Sequence, residues 1–173
     1  MQDTIRYTIF ETKWGYFGLV SIENSLLRTY LPVHDRHSLK DQILAEFPDA
    51  RCEKGLFRDL QEQIIAYFQG DPVDFDPDVV ISLHGLSRFA RLVLTACRTL
   101  TFGRTISYGR LARKAGRPKA ARAVGRVMAN NPVPLIIPCH RVLRSHGKIG
   151  GFSAPGGVPL KKRMLELEQR GRS

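Results

Sequence analysis

Residues 130–144 read Asn-Asn-Pro-Val-Pro-Leu-Ile-Ile-Pro-Cys-His-Arg-Val-Leu-Arg, and no other stretch limits the fold so tightly. Pro132, Pro134 and Pro138 each fix their own φ and push the preceding residue out of the helical region. The backbone is therefore expected to run extended, with the apolar run 133–137 buried. Cys139 follows at once, with an imidazole (His140) and a guanidinium (Arg141) beside it. A thiol next to two potential cations has its thiolate within reach of neutral pH. The stretch reads as a rigid presentation of one reactive sulfur.

Charge is divided unevenly along the chain. Residues 1–85 carry 8 Lys/Arg against 14 Asp/Glu, a net of −6, whereas residues 86–173 carry 19 against 2, a net of +17. A solvated surface normally mixes both signs, so a basic half of this strength points to a polyanion, nucleic acid first. The 173 residues make one domain, or one domain with a small partner, with room for a sizeable core. The three cysteines, Cys52, Cys97 and Cys139, have no disulfide-framework or zinc-knuckle spacing. With no signal-peptide pattern and no apolar run of membrane length, a reducing cytoplasm is the expected compartment.

Residues 4–11, 14–22 and 26–33 are rich in Thr, Ile, Tyr, Phe and Val and broken by turn residues, which predicts a three-stranded meander. Helices are predicted over 38–47, with Ser38 as N-cap, and over 56–68, stopped by Gly70 and Pro72. Acid and proline alternate over 71–78, a linker. The expected class is α+β: a supporting domain over 1–80 with a small antiparallel sheet and helices, then a mostly helical domain over 86–173. Within the latter, 87–100 reads as a helix whose apolar stripe includes Cys97, a core thiol.

Residues 105–115 and 120–130 read as two short helices around the turn 116–119, a helix-turn-helix signature. Ala120, Ala121, Ala123 and Gly125 leave the second helix nearly bare, with Arg122 and Arg126 standing on one face. It has too few base-reading groups for the major groove and suits a minor-groove binder that inserts one side chain. A glycine-rich loop over 145–157 lets backbone approach a ligand and lacks the order of a P-loop. A helix over 158–170 closes the chain and carries Glu166 and Glu168, the only acids of the basic half.

A thiol with His and a carboxylate is an activated-nucleophile arrangement that suits a cysteine peptidase equally well. A peptidase has no use for the basic half or the helix-turn-helix. Chemistry on a DNA base, which must leave the stack to enter a pocket, uses the thiol with its His, the rare acid, the glycine-rich loop and the helix-turn-helix together.

Residues 102–168 resemble the O6-alkylguanine-DNA alkyltransferases, the methylated-DNA–protein-cysteine methyltransferases. The resemblance rests on Phe102-Gly103, Ile106-Ser107-Tyr108, the segment from Pro118 through Lys119-Ala120-Ala121-Arg122-Ala123-Val124 to Gly125, Asn131-Pro132-Val133-Pro134, and Ile137-Pro138-Cys139-His140-Arg141-Val142. It implies that Cys139 takes an alkyl group from O6-alkylguanine, with O4-alkylthymine as a further candidate, once per molecule. His140 (through a water) and Glu168 would relay the thiol proton, and Asn131 would brace the Cys loop. Tyr108 would help turn the nucleotide out and protonate the leaving guanine, while Arg122 fills the vacated place. Ser153 and the backbone at Cys139 and Val142 would contact the flipped base, and Met128 would pack on it. Ala121, Gly125 and Ser145 would lie against the DNA strand.

The implied partner is double-stranded DNA containing O6-alkylguanine, met by a monomer without a membrane or cofactor. Cys52, His34, His37 and His84 lack ligand spacing, so no metal is expected. Phe152 stands where many relatives carry Tyr, and the loop 150–157 is about two residues longer than theirs, which would widen the pocket toward bulkier O6-alkyl groups. Two further classes fit the fold: a non-catalytic damaged-base binder, in which Trp replaces the Cys, and a transcriptional regulator, for which the second helix lacks base-reading side chains.

Overall fold

A computed structural model describes residues 4–172. Met1, Gln2, Asp3 and Ser173, the outermost residues of the two expected domains, lie outside the described residues. The described chain forms two compact units that divide between Ser82 and Leu83.

In the first unit, β1 (Ile5–Thr12), β2 (Gly15–Ile22) and β3 (Ser25–Val33) form the antiparallel meander that their alternating sequence predicts. The first turn closes at the Thr12–Gly15 pair, where Gly15 has a φ of +125° and a Cβ would sit 2.4 Å from the Val33 carbonyl oxygen. Only glycine fits there. Helix α1 (Arg36–Glu46) lays Leu39 and Ile43 on one sheet face with Tyr7, Ile9, Val20 and Tyr30. Helix α2 (Arg58–Gln69) contributes Phe68, which packs on Phe17 and Trp14, and the helix stops directly at a left-handed Gly70 cap.

Two details depart from expectation. Helix α1 starts before Ser38, because the Asp35 carboxylate accepts from the amides of His37 and Ser38 and caps the helix there. A fourth strand, β4 (Arg51–Cys52), joins the sheet parallel to β1, giving the order β3-β2-β1-β4.

The second unit begins with α3 (Arg88–Arg98), capped by Ser87 and burying Val93, Leu94 and Cys97. A two-residue strand β5 (Ile106–Ser107) precedes α4 (Tyr108–Lys114), whose N-cap is the Ser107 hydroxyl. Gly116, at φ +74°, turns the chain out of α4, and α5 (Ala121–Ala129) follows to complete the helix-turn-helix. The Cys stretch leads into β6 (Val142–Leu143), parallel to β5, and α6 (Gly157–Gly171) ends the unit. Among the described residues no helix is long and apolar enough to cross a membrane.

Candidate active site

The proline-rich stretch is a braced turn rather than an extended strand. Proline fixes only its own φ and restricts its neighbour, and Leu135 adopts a left-handed φ of 77° that folds the chain back. The Ile137 amide then donates to the Val133 carbonyl at 3.0 Å. Asn131 clamps both ends of the reversal: its Nδ2 donates to the Ile137 carbonyl at 2.8 Å, and its Oδ1 accepts from the Val133 amide at 3.1 Å. Leu135, Ile136 and Ile137 are buried beneath the turn, as their hydropathy requires. The chain leaves it as one turn of 3-10 helix, Cys139–Arg141, whose sharp pitch separates three consecutive side chains.

Cys139 reaches the wall of a cavity of about 980 Å³. Tyr108 at the start of α4 and Ala121, Arg122, Gly125 and Met128 along α5 line one side of it. Ser145 and Ser153 come from the glycine-rich loop opposite. The other four candidate residues, His140, Glu168, Asn131 and Val142, do not line the cavity and sit behind the thiol or beneath it. Ser153 Oγ donates to the Ala129 carbonyl, which ties the loop to the end of α5. The ring of Tyr108 lies against Gly150, where a Cβ would fall 3.0 Å from the phenolic oxygen.

Behind Cys139 lies a buried polar cluster. His140 is fully buried, and its Nε2 is 2.6 Å from Glu168 Oε1. Arg141 turns away from the sulfur and places Nε 3.0 Å from Oε2 and Nη2 3.0 Å from Oε1 of the same carboxylate. The Gly103 amide donates to Oε2 at 3.0 Å. Burial alone would oppose the charge on Glu168, but hydrogen bonds from His140 and Arg141 outweigh it and hold the carboxyl at about 2. Burial pushes His140 below its ordinary value, with Arg141 and Lys161 adding to that and Glu168 opposing it. The ring is therefore neutral, donates from Nε2 to the carboxylate, and keeps Nδ1 as its basic nitrogen.

The thiol differs from the sequence expectation. Burial pushes Cys139 up, so the resting sulfur is protonated, while Asn131, Lys161 and the amides of Cys139 and His140 pull the other way. Neither flanking side chain acts as a neighbouring cation to the sulfur: His140 is neutral and Arg141 is committed to Glu168. The cation that favours the thiolate is Lys161, fully buried, donating to the Val142 carbonyl at 2.7 Å and lying 5.8 Å from the centre of the Tyr108 ring. Reading residues in isolation missed it. A signal existed, since Lys161, Met164, Leu165 and Glu168 share one stripe of α6 at helical spacing, and all four are buried.

The cavity mouth also carries Arg144, His146 and Lys148, so a reactive thiol faces a strongly basic rim beside a helix-turn-helix. That combination defines a cysteine nucleophile built onto a nucleic-acid-binding fold. Residues 88–170 match the family model for the 6-O-methylguanine DNA methyltransferase DNA-binding domain. The Methanosarcina acetivorans methylated-DNA–protein-cysteine methyltransferase is 35% identical over 163 residues, covering 94% of this chain and 97% of the relative. The Mycolicibacterium paratuberculosis protein of the same name is 43% identical over 109 residues, 63% of each chain. The crystal structure of Mycobacterium tuberculosis O6-methylguanine methyltransferase superposes with a TM-score of 0.77 at 32% identity, covering 96% of this chain and 94% of that one. The same organism's OGT in complex with DNA superposes with a TM-score of 0.78. The chain belongs to the methylated-DNA–protein-cysteine methyltransferase family.

Proposed function

We propose that this protein repairs DNA by moving the alkyl group of O6-alkylguanine onto Cys139, once per molecule. The observation that carries this is the Cys139 thiol at the wall of the cavity bounded by α5, with a neutral imidazole on an ionised carboxylate behind it.

The chemistry follows from the residues present. A bare helix face at Ala121 and Gly125 lets the duplex approach, and Arg122, exposed on α5, takes the place of the base that swings into the cavity. His140 accepts the thiol proton, directly or through a water, and the sulfur attacks the alkyl carbon from the side opposite O6. An S–C bond forms, the C–O6 bond breaks, and the electron pair stays on the purine. Tyr108 supplies the proton that restores guanine and recovers one through solvent, while His140 releases its own. Ser153 contacts the base once its hydroxyl exchanges the Ala129 carbonyl for the purine. The thioether product has no leaving group worth displacing, so the protein is spent. Monomers acting on duplex DNA in the cytoplasm suffice for every step.

Titrating the protein against a duplex with one O6-methylguanine, and counting restored guanines, tests this reading. Repair should stop at one guanine per protein molecule and vanish in Cys139→Ala. Tight lesion binding with no restored guanine would make the protein a damage binder. Running O6-benzylguanine beside O6-methylguanine decides whether the long 150–157 loop admits bulkier groups; a strong methyl preference refutes that idea.

A further inference from the structure

The Glu168 carboxylate is saturated. Gly103 N, Arg141 Nε, Arg141 Nη2 and His140 Nε2 converge on its two oxygens, which together offer about four lone-pair sites. Arg141 cannot swing away, because its Nη1 is bonded to the Leu100 carbonyl and the residue is 2% exposed. A carboxylate so occupied has no room for a further proton.

The charges around His140 are also asymmetric. Glu168 and Lys161 face it from α6, and Arg141 and Cys139 belong to its own turn. Cys97 of α3 and Tyr108 of α4 couple to Cys139. Glu168 favours a charged ring and Arg141 opposes one, and the two meet in a direct ion pair, Arg141 Nε and Nη2 on the carboxylate that His140 also contacts. With no guanidinium there, the imidazole itself would become the counter-ion, already protonated and unable to accept from the thiol.

We infer that Arg141 is a positioning residue for alkyl transfer: its guanidinium serves as the counter-ion of Glu168 and fixes the carboxylate on His140 Nε2, so that the ring remains an uncharged base which receives the Cys139 proton and passes it no further. This rests on the alkyl-transfer reading above. The proton balance is closed within the pair: the S–H bond breaks, the imidazole becomes imidazolium, and Glu168 stays ionised throughout.

Single-turnover methyl transfer from an O6-methylguanine duplex, measured across pH, tests the inference. The endpoint gives the competent fraction of protein and the rate constant gives the chemistry, so misfolding and mechanism separate. In Arg141→Gln the acid limb of the rate moves to higher pH by about one unit or more, a tenfold slower reaction below it. In Arg141→Lys, which keeps the charge, the limb stays at the wild-type position and only the rate drops. A uniform loss at all pH in Arg141→Gln, or an equal displacement of the limb in both variants, overturns the inference. NMR titration of the His140 ring in the DNA-free protein reads the same quantity without alkyl transfer. A ring already protonated at neutral pH in the wild type overturns the inference with no variant needed. If wild type fails to take up methyl at all, the proposed function fails, and the NMR result still decides the role of Arg141.

Discussion

Asn131→Ala should loosen the Cys turn and slow its thiol together. Its amide makes two hydrogen bonds to backbone, at 2.8 Å to the Ile137 carbonyl and 3.1 Å to the Val133 amide, and both partner residues are essentially buried. Truncation leaves one donor and one acceptor without a partner where water enters poorly, at ~1–3 kcal/mol for each group, or about 2–4 kcal/mol in all with partial relaxation. Against a typical domain stability of ~5–15 kcal/mol that is a large loss. The side chain also hydrogen-bonds Cys139 and lowers its pKa, so its removal raises the thiol further. Urea unfolding reads the first effect, and the pH dependence of iodoacetamide alkylation at Cys139 reads the second. Asn130→Ala is the control next door: that exposed side chain bonds the Arg126 carbonyl on its own helix, and its loss should stay within about 0.5 kcal/mol. An Asn131→Ala protein as stable as that control, with an unshifted alkylation profile, would refute the bracing argument.

Acid should unfold the protein through two groups acting in one direction. Glu168 sits at about 2 in the folded chain against an ordinary 4.5, so its contribution is present above 4.5 and is lost as pH falls toward 2. His140, held below its ordinary 6.5, contributes stability that is intact above 6.5 and is lost as pH falls below it toward the lowered folded value, and Glu168→Gln should flatten the lower part of the stability curve. Lys161→Met removes the buried cation that favours the thiolate, so iodoacetamide alkylation of Cys139 should move to higher pH; an unchanged profile would contradict that assignment. Arg126→Ala should weaken binding to damaged and undamaged duplex alike and reduce the salt slope by about 1. Arg122→Ala should instead lower the transfer rate on duplex more than on single strands, where no vacated place needs filling.

Elements announced by local chemistry were legible from residues alone. Ser87 caps α3 and Gly70 ends α2, and the alternating residues of β1 to β3 pair as a meander. The helix-turn-helix follows from Gly116 between two short amphipathic runs. Elements made by distant partners were not. Both residues of β4 are exposed, so no hydropathy pattern marks it, and the β5–β6 ladder has only two pairs. The left-handed Leu135 carries no sequence signature, since its conformation is imposed by the Asn131 clamp and the Val133–Ile137 bond. At the site, Cys139 was legible from its proline-braced context, whereas the partner of Arg141 was not. Adjacent residues on a 3-10 turn point in different directions, so sequence proximity to the sulfur said nothing about where the guanidinium goes.

Intact-protein mass after incubation with an oligonucleotide carrying one O6-methylguanine, with Cys139→Ala alongside, tests the central claim most directly. The wild type should gain one methyl group per molecule, mapping to the peptide that contains Cys139, and the variant should gain none. No gain in the wild type, or an equal gain in Cys139→Ala with the label on Cys52, would contradict the account.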